Sequence, residues 1–253
     1  MENKNYNEMR EKLILGLDVE DSALAYDLIE KLAPHVKFYK VGLQLITREG
    51  PKIIMTLRRK GLKIFYDAKF YDIPQTVFNS CYEAARLGVN MVNVHALGGP
   101  KMIQYAKDGL EKASDKLQIH KPLLLAVTIL TSYENKDLKK YMKINLPIKD
   151  MVLHLADMAK KAGADGIVCS PEETRIIKKE FGKDFVVVTP GIRMGKVNKD
   201  DQKRIKTPYE AIKDGSDYIV VARPILQSED KQATIMEIIN QIQEGYKHAR
   251  KNN

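Results

Sequence analysis

Lys161-Ala162-Gly163-Ala164-Asp165, followed by the β-rich run Gly166-Ile167-Val168-Cys169-Ser170, reads as a helix end, a glycine that stops the helix, and a strand. Glycine suits that junction because it enters the left-handed conformation without a Cβ clash. The same arrangement occurs at Arg86-Leu87-Gly88-Val89-Asn90 and at Lys213-Asp214-Gly215-Ser216-Asp217. Working outward from these junctions, β-rich runs recur at Lys12–Val19, Val36–Leu43, Lys63–Phe70, Val89–Ala96, Pro122–Leu130, Gly166–Ser170, Asp184–Ile192 and Tyr218–Ile225. Amphipathic segments lie between them, among them Ala23–Leu32, Gln75–Leu87, Met151–Ala162 and Glu172–Phe181, and a helical pattern closes the chain at Thr234–Ala249. Strands alternating with helices pair in parallel through right-handed crossovers, and eight such units close into a (β/α)8 TIM barrel. The rival, an open doubly wound sheet, lacks its usual GxGxxG after the first strand.

A chain of 253 residues matches the length of one such barrel, so a single domain over 1–253 is expected. Hydrophobic residues at 44% and charged residues at 30% are ordinary for a globular protein and too apolar for a disordered one. No Pro/Gly/Ser linker divides the chain, and the lysine-rich stretch Tyr133–Asp150 is long enough to carry extra helix. The longest apolar run, Leu123–Leu130, is strand-sized rather than membrane-spanning, and Met1–Lys12 is too polar for a secretory signal. A cytoplasmic location is expected. Cys81 and Cys169 show no CxxC spacing and read as packed thiols rather than a disulfide or zinc site. The net charge of +9 comes from Lys and Arg spread along the chain with acidic residues between them, which argues against nucleic acid as the main partner.

Barrels of this kind work at the carboxyl ends of their strands, so the polar residues there are the candidates: Asp18, Lys40, Asp67–Asp72, His95, Thr128–Ser132, Arg193 and Arg223. In Asp67-Ala68-Lys69-Phe70-Tyr71-Asp72-Ile73-Pro74, strand alternation sends Asp67 and Lys69 to one face and leaves Asp72 in the loop beyond. Alternation also brings Lys40 to the barrel mouth, opposite Asp18. Burying such a set costs several kcal/mol per ion unless each charge is paired, so an array of this size is expensive as mere structure. Any one member would pass as an ordinary strand-end ion pair. Together they suit replacement of a carboxylate by hydrogen at an anionic carbon. A protonated lysine between aspartates stabilises the carbanion and donates its proton, while an aspartate beside the departing carboxylate repels it by about 4 kcal/mol at ~4 Å and an effective dielectric of ~20.

A second constellation fits phosphate. Pro190-Gly191-Ile192-Arg193 ends the seventh strand and Val221-Ala222-Arg223-Pro224-Ile225 the eighth, where barrels often build a phosphate site. Arginine offers a planar fork, and a small residue such as Ala222 lets the backbone approach. The polar, basic segment Met194–Lys206 reads as a lid.

These residues in this order resemble the orotidine 5′-phosphate decarboxylase family over nearly the whole chain. The matched motifs are the Asp18 strand, Lys40, DAKFYDIPQTV (Asp67–Val77), Val94-His95-Ala96 with Gly98-Gly99, Leu130-Thr131-Ser132, PGIR (Pro190–Arg193), Asp200-Asp201-Gln202 and ARPI (Ala222–Ile225). The resemblance implies cofactor-independent decarboxylation of orotidine 5′-monophosphate, with no metal and with Lys69 as proton donor and Asp67 facing the substrate carboxylate. It implies that Lys40 bridges the charges and, with Asp18, touches the ribose. Thr131 and Ser132 would meet the ribose or pyrimidine. Pro190, Arg193, Gln202, Ala222 and Arg223 would surround the phosphate, although Ala222 stands where many relatives have glycine. The family is a homodimer with shared sites, which implies that Asp72, Ile73 and Thr76 reach the neighbouring subunit's site. His95 is expected to pack rather than react. Sugar-phosphate relatives share the DxKxxD element, work through magnesium and carry an acidic residue where this chain has Lys40. A noncatalytic barrel that binds a nucleotide or RNA through its basic surface is the alternative from another class.

Overall fold

Parallel pairing runs unbroken around a closed ring, β1 to β8 in sequence order, in the computed structural model, which describes residues 2–195 and 204–251. The strands are β1 (Leu13–Gly16), β2 (Phe38–Gly42), β3 (Lys63–Phe70), β4 (Met91–His95), β5 (Leu123–Val127), β6 (Gly166–Val168), β7 (Val186–Thr189) and β8 (Tyr218–Val221). The helices begin with α1 (Glu2–Glu11), α2 (Ser22–Leu32), α3 (Leu43–Glu49), α4 (Lys52–Arg59), α5 (Pro74–Arg86) and α6 (Gly99–Leu117). They continue with α7 (Asn135–Asp137), α8 (Ile148–Lys161), α9 (Thr174–Phe181), α10 (Pro208–Lys213), α11 (Arg223–Leu226) and α12 (Lys231–Lys251).

Local chemistry explains the boundaries. Gly163, at the junction that announced the fold, has φ +91°, and Gly88 and Gly215 are also left-handed. The Asp21 side chain accepts from the Ala23 amide to start α2, and Thr207 with Glu210 forms a reciprocal capping box on α10. The lysine-rich stretch carries the extra helix expected of it, α7 running into a π-helical turn at Leu138–Met142. In α8, Met151, Val152, Leu155, Ala156 and Ala159 are buried at helical spacing against the sheet.

Two apolar layers result. The larger lies between helices and sheet. The smaller fills the barrel, where Ile14, Phe38, Phe65, Leu125 and Val220 meet, each large side chain contributing about 1.5–3 kcal/mol by burial. Phe65 and Val220 also form part of the cavity above them, so the packed interior is the floor of the site.

Several strands are shorter than their β-rich runs. β1 ends at Gly16 rather than Val19, β6 at Val168 rather than Ser170, β7 at Thr189 rather than Ile192, and β8 at Val221, with α11 starting at Arg223. Ile192 and Ile225 remain buried after leaving the ladder, so their β-branched, apolar character persists beyond the ends of the strands. No helix among the described residues is long and apolar enough to cross a membrane. Cys81 and Cys169 are free, buried thiols.

Candidate active site

β3 does not reach its end as a regular strand. It pairs with β4 as Phe65 with Met91 and Tyr66 with Val92, then resumes at Phe70 with Val94. Four steps on β3 thus match two on β4, the signature of a bulge. Within it Lys69 adopts φ +49°, uncommon for a residue with a Cβ. The Asn93 side chain replaces the interrupted ladder: its Oδ1 accepts from the Lys69 amide at 2.8 Å, and its Nδ2 donates to Asp67 Oδ1 at 2.7 Å. Asp67 and Lys69 therefore share a face, as alternation predicts, but a bulge and a buried amide bring them there.

The charges form one chain. Lys69 Nζ donates to Asp67 Oδ1 at 2.7 Å, Lys40 Nζ lies 3.1 Å from Asp67 Oδ2, and Lys40 Nζ donates to Asp18 Oδ1 at 2.9 Å. Lys40 and Asp67 are buried, while Asp18 is about half exposed at 49%. Burial alone would pull the Lys40 ammonium down, but the Asp67 and Asp18 carboxylates outweigh it and hold it above the ordinary lysine value. Burial likewise pushes Asp67 up, but Lys40, Lys69 and the hydrogen bond from Asn93 bring it below the usual carboxylate range. Both are ionised at neutral pH. Gly42 helps make room, since a Cβ there would stand 3.1 Å from Lys40 Nζ.

This array opens into a cavity of about 240 Å³ that also takes in Thr131, Pro190, Arg193, Ala222 and Arg223. β7, which leads to Arg193, lies halfway round the ring from β3. The chain turns at Gly191 with φ +80°, and Ile192 bridges Lys206 while the Arg193 amide donates to Lys206 O at 3.0 Å. These contacts hold Arg193 buried beside the cavity. Ala222 and Arg223 stand where β8 gives way to α11.

Residues 11–238 match the orotidine 5′-phosphate decarboxylase / HUMPS family. The chain belongs to that family. It is 43% identical over 234 residues to an orotidine 5′-phosphate decarboxylase of Legionella pneumophila (strain Lens), covering 92% of this chain and 100% of the relative. It is 45% identical over 235 residues to one from Syntrophotalea carbinolica, covering 93% of this chain and 96% of the relative. The crystal structure of orotidine 5′-phosphate decarboxylase from Lactobacillus acidophilus superposes with a TM-score of 0.82 at 40% identity, covering 92% of this chain and 99% of that one.

In this member of the orotidine 5′-phosphate decarboxylase / HUMPS family, nine of the candidate residues line one cavity: Asp18, Lys40, Asp67 and Lys69 on the charged side, with Thr131, Pro190, Arg193, Ala222 and Arg223. Asp72, Ile73 and Thr76 do not line it; all three are exposed, and the Asp72 carboxylate accepts from the Ile73 amide at 2.6 Å. Ser132 is exposed and also outside the lining. Gln202, with most of the segment read as a lid, lies outside the described residues. His95 faces a separate side pocket with Tyr71, ring centroids 5.7 Å apart, and burial together with the Lys69 charge lowers its pKa. Asn93 is the functional residue that pattern reading missed. Its only sequence signal is a lone amide inside an otherwise apolar strand, Met91-Val92-Asn93-Val94.

Proposed function

We propose that this chain decarboxylates orotidine 5′-monophosphate to uridine 5′-monophosphate, the last step of de novo pyrimidine (UMP) biosynthesis, using its own side chains and no cofactor. The observation that carries the reading is the continuous Asp18–Lys40–Asp67–Lys69 array in a cavity shared with two arginines at neighbouring strand ends. The names of the relatives support the same substrate and the same carboxy-lyase chemistry. The barrel acts as one catalytic domain over 1–253, in the cytoplasm.

The phosphate binds Arg193 and Arg223, with Pro190, Ala222 and Gln202 shaping its pocket. Asp18 and Lys40 take the ribose, and Thr131 and Ser132 its surroundings or the pyrimidine edge. Asp67 faces the carboxylate of the base. As the bond from the ring carbon to the carboxylate breaks, the electron pair stays on that carbon and carbon dioxide leaves. The Lys69 ammonium stabilises the charge, transfers its proton to the same carbon, and is reprotonated from solvent. Asp67 and Lys40 are held charged before substrate arrives, so the electrostatic work is preorganised rather than induced. Asp72, Ile73 and Thr76 serve the site of a second copy in a homodimer with shared sites.

The test is direct. Purified protein mixed with orotidine 5′-monophosphate in excess chelator is expected to bleach the pyrimidine absorbance at the rate seen without chelator. No loss of absorbance sinks the reading. Loss of activity on chelation would favour the magnesium-dependent branch of the family instead.

A further inference from the structure

Glu173 and Arg204 form a second buried ion pair that the chemistry above does not use. Glu173, 5% exposed, lies in the loop after β6, where its amide donates to Ser170 O at 3.1 Å. Arg204, 8% exposed, lies two residues before Lys206, which is tied to the backbone of Gly191 and Arg193. The Arg204 guanidinium uses its planar fork on three acceptors. Nη1 meets Glu173 Oε1, while Nη2 donates to Leu130 O at 3.1 Å and Ile129 O at 3.3 Å. One side chain thus ties together the loops that follow β5, β6 and β7. Each loop contributes to the cavity wall, through Leu130 and Thr131, Cys169, and Arg193.

As a device for stability this pair is poor. Among the described residues, Glu173 Oε2 and Arg204 Nε have no hydrogen-bond partner although both are buried. Burial holds the Glu173 carboxyl above its usual range even against the facing guanidinium. A buried pair with unsatisfied atoms is often no better for stability than an apolar replacement of the same volume. What it supplies is direction, because the two donors on Nη2 fix the main chain one residue before Thr131.

We propose that Arg204 and Glu173 are positioning residues for the reaction, holding the Ile129–Leu130 backbone so that Thr131 stands at a fixed place in the cavity wall. The inference rests on the decarboxylase reading for its substrate, and on the three-loop geometry for its mechanism. It predicts coupling between residues that share no contact given by their side chains. Arg204→Gln lowers kcat/KM about 10²-fold in the wild-type background, as misplacement by ~1 Å does. In a Thr131→Ala background the same substitution costs less than about threefold, because the group being positioned is already gone. A purely structural pair would lower the thermal midpoint and give equal fold-losses in the two backgrounds, and that result overturns the proposal. If Arg204→Gln does not fold, the isosteric Glu173→Gln is carried through the same cycle and read by the same criterion. If the wild-type protein leaves orotidine 5′-monophosphate unchanged, the decarboxylase reading fails. The positioning claim is then decided by running the cycle on the calorimetric affinity for uridine 5′-monophosphate, with additivity again counting against it.

Discussion

Asn93 sets the geometry of the Asp67–Lys69 pair without carrying charge itself. It is 1% exposed and spends its carbonyl on the Lys69 amide and its amide nitrogen on the Asp67 carboxylate. Removing it orphans a buried N–H, at about 1–3 kcal/mol, and frees the left-handed turn that aims Lys69. Asn93→Ala is therefore expected to lower kcat about 10²-fold while changing KM much less, since the arginines of the phosphate side are untouched. Steady-state kinetics on the folded variant decides it. A loss confined to KM would mean that Asn93 serves binding rather than alignment. The charged residues around it were legible because Asp and Lys are conspicuous at strand ends. Asn93 was not, because a neutral amide in an apolar strand looks the same whether it points at a charged pair or at an ordinary backbone gap.

At the scale of elements, alternation of runs and helix-stopping glycines was enough to place every strand, yet of the eight only β3 ends where its run does. Residues such as Ile192 and Ile225 stay fully buried after the ladder stops, so composition continues beyond the ends of the strands. The bulge in β3 was equally hidden, since no glycine or proline marks it; Lys69 itself takes the left-handed turn. Helix packing was beyond pattern reading for a related reason, because it depends on which faces meet. α5 and α6 meet at Gly109, where an added Cβ would lie 2.4 Å from Phe78 O. That atom is backbone and cannot rotate away. Overpacking of about 1–3 kcal/mol then exceeds the gain of about 1 kcal/mol that alanine brings to a helix, so Gly109→Ala is expected to be destabilising by about 1 kcal/mol, with up to ~2 kcal/mol at tighter contact. Urea unfolding measures it, and an unchanged or raised midpoint would show that α5 can shift freely. Because α5 begins at Pro74, directly after Asp72 and Ile73, such a shift would also move the residues assigned to the neighbouring site.

For the whole molecule, the arrangement leaves apolar side chains outside at the same end as the cavity, with Ile73 67% and Tyr71 62% exposed. Tyr71 turns one side of its ring to His95 and leaves the rest open, and both residues flank Asp72, which does not line the cavity of its own chain. A symmetric dimer that gives each chain's Asp72 to the other site accounts for all three, and it makes a prediction no single barrel can satisfy. Lys69→Ala disables the site of its own chain, whereas Asp72→Asn disables the partner's site. Each variant alone should be nearly inactive. Mixed in equal amounts and allowed to exchange subunits, half the dimers become heterodimers, and in each heterodimer both lesions fall in one site and leave the other intact. Activity should recover to about a quarter of the wild-type level, half the dimers each with one of two sites working. If Asp72 acts within its own chain, the two lesions stay in separate sites and mixing restores nothing. Once exchange is complete, shown by mass-tagged subunits forming the heterodimer, the outcome distinguishes a shared site from a private one through turnover alone.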